Sequence, residues 1–543
     1  MTAPQHPSSP ALSAPAVTSF LRRHALERPS HTALIDGATS ESVTYAELLA
    51  QVLAQAEGFR AAGIAHGDRV GILGVNSLPY AVTLLALSEL GAIAVPKNTR
   101  LHRAELATNL QDAGVAALIA DSGHRESATA LADELGVAKR FLLDGTADGW
   151  QSLERTADAG TADPSPAALA ATPLPEGVHG ETTSTILYTS GTTGRAKGCM
   201  LAQRTWVGYA QNMTGSLRMS GDDIYLAFLP LFHIAGLGLL HSQLILGGTV
   251  VTQAAADPAQ MHAAVKNHGV TIVMVVPGIS HPFVTHPDAA PAGESTLRLL
   301  VSAVGLESAE VVDATRTRLG VEYMGIYGQT ESGTKTTWAT QEQFDRNPAT
   351  YGKVMPALAY RLVDDDDNDV LPGEPGELLL RGGTIMQGYW NRPDANAETL
   401  AGGWHHTGDV FVLQEDGTLR MVDRTKYLIK TGGENVYPQE VENILKVHSK
   451  VADVAVAGIP DAEWGETVKA FVIPRPGVEL TRAELDAAVR AEVAGYKAPR
   501  YIEFVDEIPR NISGKILKNV LTERPTDESQ RVIREGQSGR ASQ

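Results

Sequence analysis

The sequence predicts an α/β protein with mostly parallel sheets, and three features of the text carry that expectation. Short apolar strands alternate with helical stretches from about Ser19 to Val301, the rhythm of βαβ units. The pattern then changes to closely spaced strands separated by turns such as Glu415-Asp416-Gly417, which predicts an antiparallel segment. After Arg424 a stretch of about a hundred residues mixes helices with strands, enough for a small α+β domain.

The elements follow in order. Helical periodicity covers Tyr45–Ala62 and Tyr80–Leu90, with strands expected near Arg69–Gly74 and Ile93–Val95. Further strands are expected at Ala117–Ala120, Thr185–Leu187, Thr249–Thr252, Thr271–Val276 and Leu297–Val301; their apolar runs suit a sheet covered on both faces. The antiparallel candidates are Ala359–Val363, Glu377–Arg381, Val410–Leu413 and Leu419–Val422. In the last unit a helix is expected from about Pro438 to Val447, strands at Val451–Ile459 and Glu466–Val472, and a helix at Arg482–Val493. Residues 1–17 and 524–543 read as a loose arm and tail.

Composition limits the function classes. Of 543 residues, 43% are hydrophobic and 20% charged, near soluble-domain averages, so a disordered, collagenous or coiled-coil chain is excluded. The 45 basic and 63 acidic residues leave a net charge of -18, the wrong sign for binding nucleic acid or anionic lipid. No run of about 18 apolar residues appears, and the N-terminus lacks a charged then apolar leader. Neither a membrane span nor export is expected, and a cytoplasmic location follows. The single cysteine, Cys199, excludes an intramolecular disulfide framework and reads as a small core residue. Asp364–Asp367 lacks the glycine and glutamate of a calcium loop and reads as a solvated turn. His405-His406 has no metal-ligand spacing.

Chemistry concentrates first in Tyr188-Thr189-Ser190-Gly191-Thr192-Thr193-Gly194-Arg195-Ala196-Lys197-Gly198, which follows an expected strand. Glycines permit the backbone geometry that turns successive N–H groups toward an anion, hydroxyls add donors, and Lys197 adds charge. This is the composition of a polyphosphate cradle, although a polar surface turn has the same ingredients. It is not a Walker A loop, because the Gly-Lys-[Ser/Thr] ending is missing.

Other motifs follow in order: Tyr327-Gly328-Gln329-Thr330-Glu331, Thr407-Gly408-Asp409, Asp423-Arg424-Thr425-Lys426, Gly432-Gly433-Glu434-Asn435 and Pro509-Arg510 through Ser513-Gly514-Lys515. Together with the loop they resemble the adenylate-forming superfamily, specifically its acyl-CoA ligases, over roughly Ala16 to Leu521. The resemblance implies a large N-terminal domain, residues 18–425, of two α/β sheet subdomains plus a small β-barrel-like subdomain. It also implies a small α+β lid domain, residues 426–523, hinged at Lys426.

The resemblance further implies ATP, Mg²⁺ and coenzyme A as cofactors and a carboxylic acid as substrate. The acid first forms an acyl adenylate, and the thiol then displaces AMP. Both transition states gather negative charge on oxygen, so placed cations and donors matter more than a protein nucleophile. By resemblance, Thr189, Ser190, Gly191, Thr192, Thr193, Gly194 and Lys197 hold phosphate. Val304, Gly305, Tyr327, Gly328 and Gln329 would line the nucleotide site. Glu331 would bind Mg²⁺, Thr330 the α-phosphate, and Asp409 with Arg424 the ribose. Lys515 would contact the α-phosphate and the attacking carboxylate, and Gly432 with Gly433 would let backbone approach pantetheine once rotation at Lys426 withdraws Lys515. His233, in Pro230-Leu231-Phe232-His233, would pack against the carboxyl end of the acid. Taken alone, such a histidine is more often a satisfied core residue. Trp206, Gly236, Gly238 and Gly325 fall near segments lining the acyl pocket. These segments are apolar, favour a hydrophobic and bulky acid over acetate, and contain no arginine or lysine to pair a second carboxylate.

The chain departs from the family pattern at Val304 and Leu306, where a small residue and a proline are usual; overfilling such a pocket costs about 1–3 kcal/mol. Ala196 and Gln203 are lesser departures, the latter changing a donor expected near the site. Val304 and Leu306 keep open an enzyme that thioesterifies a ready-made acyl-AMP but adenylates poorly. Loading of a separate carrier protein and a non-catalytic acyl-nucleotide binder are further alternatives. A homodimer is one admissible assembly.

Overall fold

The computed structural model describes residues 14–153, 165, 168, 171–189, 196–276, 278–303, 307–424, 429–431, 434–436, 438–461, 465–510 and 516–532. The described chain divides into two compact units, one running through Tyr360 and including Leu379–Thr407, the other made of Arg361–Leu378 and the chain from Gly408.

The first unit holds two sheets. One has the order Gly388–Tyr389, Lys197–Ala202, Thr183–Thr189, Ile93–Lys97, Arg69–Leu73, Ala117–Ala120, Lys139–Leu142 and Gln151–Ser152. Its centre is parallel, and an antiparallel hairpin of Thr183–Thr189 with Lys197–Ala202 closes one side. The other sheet runs Lys353–Val354, Thr334–Thr340, Glu322–Gln329, Leu299–Ala303, Ile272–Val275, Ile224–Ala227, Thr249–Thr252, Thr32–Asp36 and Ser42–Thr44. Here too a parallel centre ends in an antiparallel hairpin, with Tyr327 opposite Thr337 and Gly328 opposite Lys335. The βαβ rhythm of the sequence is thus the architecture. Leu78–Leu90 is buried along nearly its whole length and reads as continuously apolar for that reason.

Four strands in the order Leu358–Val363, Pro375–Gly382, His405–Leu413 and Leu419–Arg424 occupy the expected antiparallel segment. The chain positions at which the two units divide fall within these strands. The acidic turn Asp364–Asp367 is exposed, and Asp364 Oδ1 accepts from the backbone of Asp366 and Asn368.

The second unit contains the expected α+β arrangement. Val451–Asp461 and Gly465–Pro474 pair antiparallel, Tyr501–Phe504 adds in parallel, and Pro438–Lys446 with Arg482–Glu492 covers an aliphatic core of Val441, Leu445, Val454, Val472, Leu485 and Val489. Lys518 is tied to buried Glu442 at 2.8 Å, and Arg510 pairs across an isolated bridge with Ile516. Both flanks of residues 511–515 are therefore fixed to the core of this unit.

The N-terminal segment is packed from Ala16, which with Val17 has no exposed surface, and the first helix is Val17–Glu27. Gln203 explains part of this. Its Oε1 accepts from Val17 N at 2.9 Å and its Nε2 donates to Ser88 O at 2.9 Å, so it clamps the N-terminal helix and is not the site donor expected from sequence. Beside it, Arg22 donates twice to Glu89, at 2.9 and 2.6 Å, with both side chains buried. Removing one partner of such a pair strands a buried charge. Arg22→Met or Glu89→Leu alone is expected to destabilise by about 3–5 kcal/mol, and the double substitution to recover most of it. Calorimetric melting of the three variants checks this.

Candidate functional site

The site begins at the two ends of the glycine-rich loop. Thr189 pairs with Lys197, and Tyr188 with Gly198, in the hairpin register. A Cβ at position 198 would lie 2.7 Å from Ile186 Cγ2, so only glycine lets these strands approach. Ser190, Gly191, Thr192, Thr193 and Gly194 lie outside the described residues. Their flanks hold Thr189 and Lys197 on one side of the hairpin's open end.

Glu331 reaches these flanks from the other sheet. Its Oε1 accepts from Tyr389 OH at 2.9 Å and from Thr189 Oγ1 at 3.4 Å, while the Lys197 ammonium lies 4.9 Å from the Tyr389 ring centroid. Burial and the Glu331 charge push the Tyr389 phenol upward, so it stays protonated and donates. The Glu331 backbone is held as firmly as its side chain. Met386 N donates to Glu331 O at 3.0 Å, and Gly333 N returns to Thr330 O at 2.9 Å. Gly333 turns at φ +62°, and a Cβ there would collide with the Thr384 carbonyl. Buried Cys199 completes this wall, its thiol 3.6 Å from Thr330 O and 3.4 Å from Met386 Sδ. Burial and the Glu331 charge raise its pKa, which suits a packing role and not a nucleophile.

Gln329, expected near the nucleotide, braces a neighbouring strand: Nε2 donates to Thr407 O at 2.8 Å, and Oε1 lies 3.2 Å from His405 Nε2. Tyr327 is buried edge-on against Tyr351, with centroids 5.9 Å apart, while Gly328 is exposed. Two residues beyond Thr407, in the second unit, Asp409 is fully buried and stands opposite Arg424 in the antiparallel register. Gly408 N donates to Glu377 Oε1 at 2.7 Å, fixing the strand just before it.

Around the expected acyl pocket the small residues serve close packing. A Cβ at Gly238 would run into the Tyr209 ring, one at Gly236 into the Leu229 carbonyl, and one at Gly325 into Phe344. Trp206 is fully buried; its Nε1 donates to Ser184 Oγ at 2.7 Å and its ring stacks on His241 at 4.7 Å. His233 differs. It precedes the helix Ile234–Leu246 and is exposed, with the Phe232 ring 4.7 Å away. Desolvation, with the charges of Arg100 and Lys335 nearby, lowers its pKa to about 4. The imidazole is therefore neutral at ordinary pH.

Val304, Gly305, Leu306, Lys426, Gly432, Gly433 and Lys515 lie outside the described residues, as does the Arg424 side chain. Their surroundings are placed: Ser302 Oγ donates to Glu307 Oε1 at 2.6 Å across 304–306, and Thr431 pairs with Glu434. The sequence reading missed Tyr389, His241 and Lys335. Tyr389 carries a weak local sign, a Gly-Tyr-Trp run after Gln387, but its partner Glu331 lies 58 residues away. Nothing local marks Lys335 as buried.

The oxygen and cationic groups gathered at the loop flanks fit a magnesium-bridged polyphosphate. Among the described residues no group of three or more His, Cys, Asp or Glu is placed to hold a metal ion. Fold and site together define the adenylate-forming ligases. The chain belongs to the AMP-binding enzyme family: the family model covers residues 21–390, and that of the AMP-binding enzyme C-terminal domain covers 440–515. Within that superfamily it is an acyl-CoA synthetase, an AMP-forming acid–thiol ligase.

A feruloyl-CoA synthase of Amycolatopsis sp is 37% identical over 503 residues, 92% of this chain and 97% of its own. An indoleacetate–CoA ligase of Aromatoleum aromaticum is 33% identical, covering 93% and 97%. ATP-bound MatB from Rhodopseudomonas palustris superposes with a TM-score of 0.82 at 28% identity, over 94% of this chain and 98% of its own. The o-succinylbenzoate CoA synthetase of Bacillus subtilis, in complex with its acyl-adenylate intermediate, gives 0.78 at 27%, over 95% and 99%. Among the described residues no helix is long and apolar enough to cross a membrane.

The Trp206–His241 stack generates a pH prediction. His241 Nδ1 donates to Leu237 O at 2.9 Å, and burial lowers its pKa to about 4 from 6.5. The folded state thus prefers the neutral ring. That stability is whole above pH 6.5 and is lost as pH falls toward 4, by about 3 kcal/mol. The melting temperature of His241→Phe is expected to fall less steeply than wild type across this interval.

Proposed function

We propose that this acyl-CoA ligase activates a hydrophobic aryl or similarly bulky acid, with Glu331 as the magnesium-binding carboxylate. The observation carrying this reading is the convergence of Glu331, Thr189, Lys197 and Tyr389 at the ends of the glycine-rich loop. Glu331 would hold a magnesium ion there, and the ion would supply positive charge to the polyphosphate. Tyr389 and Thr189 orient the Glu331 carboxylate by donating to one of its oxygens. Lys197 and the loop N–H groups bind the polyphosphate, and Thr330 contacts the α-phosphate. Asp409 accepts from the ribose hydroxyls, with Arg424 as a second contact.

Neutral His233 packs against the carboxyl end of the acid without adding charge. The cation that draws carboxylate and α-phosphate together is Lys515. Rotation about Lys426 then withdraws Lys515 and brings Gly432-Gly433 to the pantetheine arm. Trp206, held immobile by Ser184 and His241, shapes the acyl pocket from behind, and Gly236, Gly238 and Gly325 bring its walls close. Relatives named for feruloyl and indoleacetate thioesters favour an aryl acid. The need for ATP and coenzyme A accords with a cytoplasmic location, and sedimentation will decide between monomer and homodimer.

The purified chain with ATP, Mg²⁺, coenzyme A and a panel of aryl and alkyl acids is expected to give AMP and an acyl thioester. Absence of thioester from every acid refutes the reading, and transfer to a carrier protein in place of coenzyme A redirects it. Such an acceptor is found in a relative, the fatty acid–[acyl-carrier-protein] ligase ScoC of Streptomyces coeruleorubidus.

Glu331→Gln is expected to slow substrate-dependent pyrophosphate release about 100-fold or more while leaving the melting temperature nearly unchanged. Lys515→Ala is expected to show a comparable loss in adenylation, yet near-normal thioester formation from supplied acyl adenylate. Equal loss in both half-reactions would contradict domain alternation.

A further inference from the structure

Lys335 follows Glu331 by four residues, in the Thr334–Thr340 strand opposite Gly328. It is 5% exposed, and among the described residues its ammonium has no hydrogen-bond or ion-pair partner. Of the other buried lysines two are ion-paired, and Lys97 has a carboxylate and an aromatic ring nearby, although burial still lowers its pKa to about 7. Lys97 lies 4.0 Å from the Tyr188 ring centroid and feels the charge of Asp112. Lys469 is 2.9 Å from Glu503, and Lys518 is 2.8 Å from Glu442.

Burial alone lowers the Lys335 pKa, to about 7, with no carboxylate to oppose it. An unpaired amine in the interior is costly, and a flexible apolar residue of the same length would fill the space at lower cost. Its surroundings point to a ligand. The charges of Lys335 and Arg100 both act on the His233 ring, and His233 is exposed. No side chain caps the N-terminus of the helix Ile234–Leu246 that begins at this point.

We propose that Lys335 is a specificity-determining residue whose ammonium receives a second anionic oxygen of the acid, distinct from the carboxylate that is activated. The acid is then an apolar frame carrying a carboxylate or an acidic phenol. Arg100 and the uncapped helix end favour the same sign of charge, and the apolar segments around Trp206 hold the frame. The inference rests on the ligase reading above. No motif marks this residue, because the segments expected to line the pocket contain no cation and Lys335 lies in the strand that follows the Glu331 turn.

The test compares acids of one frame, 4-carboxycinnamate, 4-hydroxycinnamate and 4-methylcinnamate, in the thioester assay with the full chain and with Lys335→Met and Lys335→Gln. Wild type is expected to prefer an oxygen-bearing acid to the methyl analogue; which one it prefers identifies the anionic group. Lys335→Met is expected to lower kcat/KM for that acid about 30-fold while the methyl analogue is kept or improved, as for loss of a charge-assisted hydrogen bond. Its melting temperature should hold or rise; Lys335→Gln supplies the comparison if it does not.

A wild-type enzyme indifferent to the distal oxygen, an unchanged ratio in both variants, or an equal fall for all three acids overturns the inference. The last result would assign Lys335 to the reacting carboxylate or to the fold. Calorimetric binding of the same acids without nucleotide decides the matter even if no thioester forms, so failure of the ligase reading and failure of this inference are separable.

Discussion

Everything in the first unit that bears on nucleotide chemistry depends on one carboxylate held between two sheets. Glu331 leaves the end of a hairpin in one sheet and accepts hydrogen bonds from Thr189 and Tyr389, which belong to the other. The magnesium role proposed for Glu331 would require a rigid carboxylate, because such an ion tolerates little error in its oxygen ligands. Rigidity comes from the backbone as much as from the side chain. Met386 N, the Cys199 thiol and the Gly333 turn fix the Thr330–Glu331 peptide before any ligand arrives. Losing the glycine at 333 would displace the carboxylate without touching it chemically.

Much of the fold was legible because it obeys local rules. Ala117–Ala120 and Thr249–Thr252 are apolar or β-branched runs between turn signals, and Arg482–Glu492 carries helical periodicity after a Thr481 capping box. The strands that build the site were harder to see. Lys197–Ala202 follows a glycine-rich loop and mixes charged and small residues. Glu322–Gln329 contains two glycines, which lower strand propensity and here permit close approach to Phe344 and an exposed turn. Their pairing comes from tertiary context, so the motifs could be recognised while the hairpins carrying them could not.

The site residues divide in the same way. Thr189 contacts Glu331 and Lys197 lies beside Tyr389, whereas Gln329 and Gln203 bond to neighbouring backbone. Both are glutamines, whose amide can donate and accept at once: Gln203 satisfies two backbone groups, and Gln329 one backbone carbonyl and the His405 ring. Tyr389 escaped notice for the converse reason. An aromatic residue in a Gly-Tyr-Trp run reads as packing, and only contact with Glu331 gives its hydroxyl a task.

Charge distribution imposes the final constraint. His241 is held neutral by burial, and desolvation with the neighbouring Arg100 and Lys335 charges lowers the His233 pKa, so neither histidine is suited to supply a positive field. That field must come from groups that stay cationic when enclosed, and lysines do so only with an opposing charge close by. Lys97 has Asp112 and the Tyr188 ring close by, which oppose but do not cancel the desolvation that lowers its pKa to about 7. Lys335 has only desolvation acting on it, so an anion entering its surroundings raises its proton affinity and is held more tightly in return. Anion entry and proton uptake are therefore coupled at this lysine. A neutral acid of the same shape gains nothing from that coupling and must displace or strand the amine, which makes the buried lysine a means of discrimination as well as of attraction.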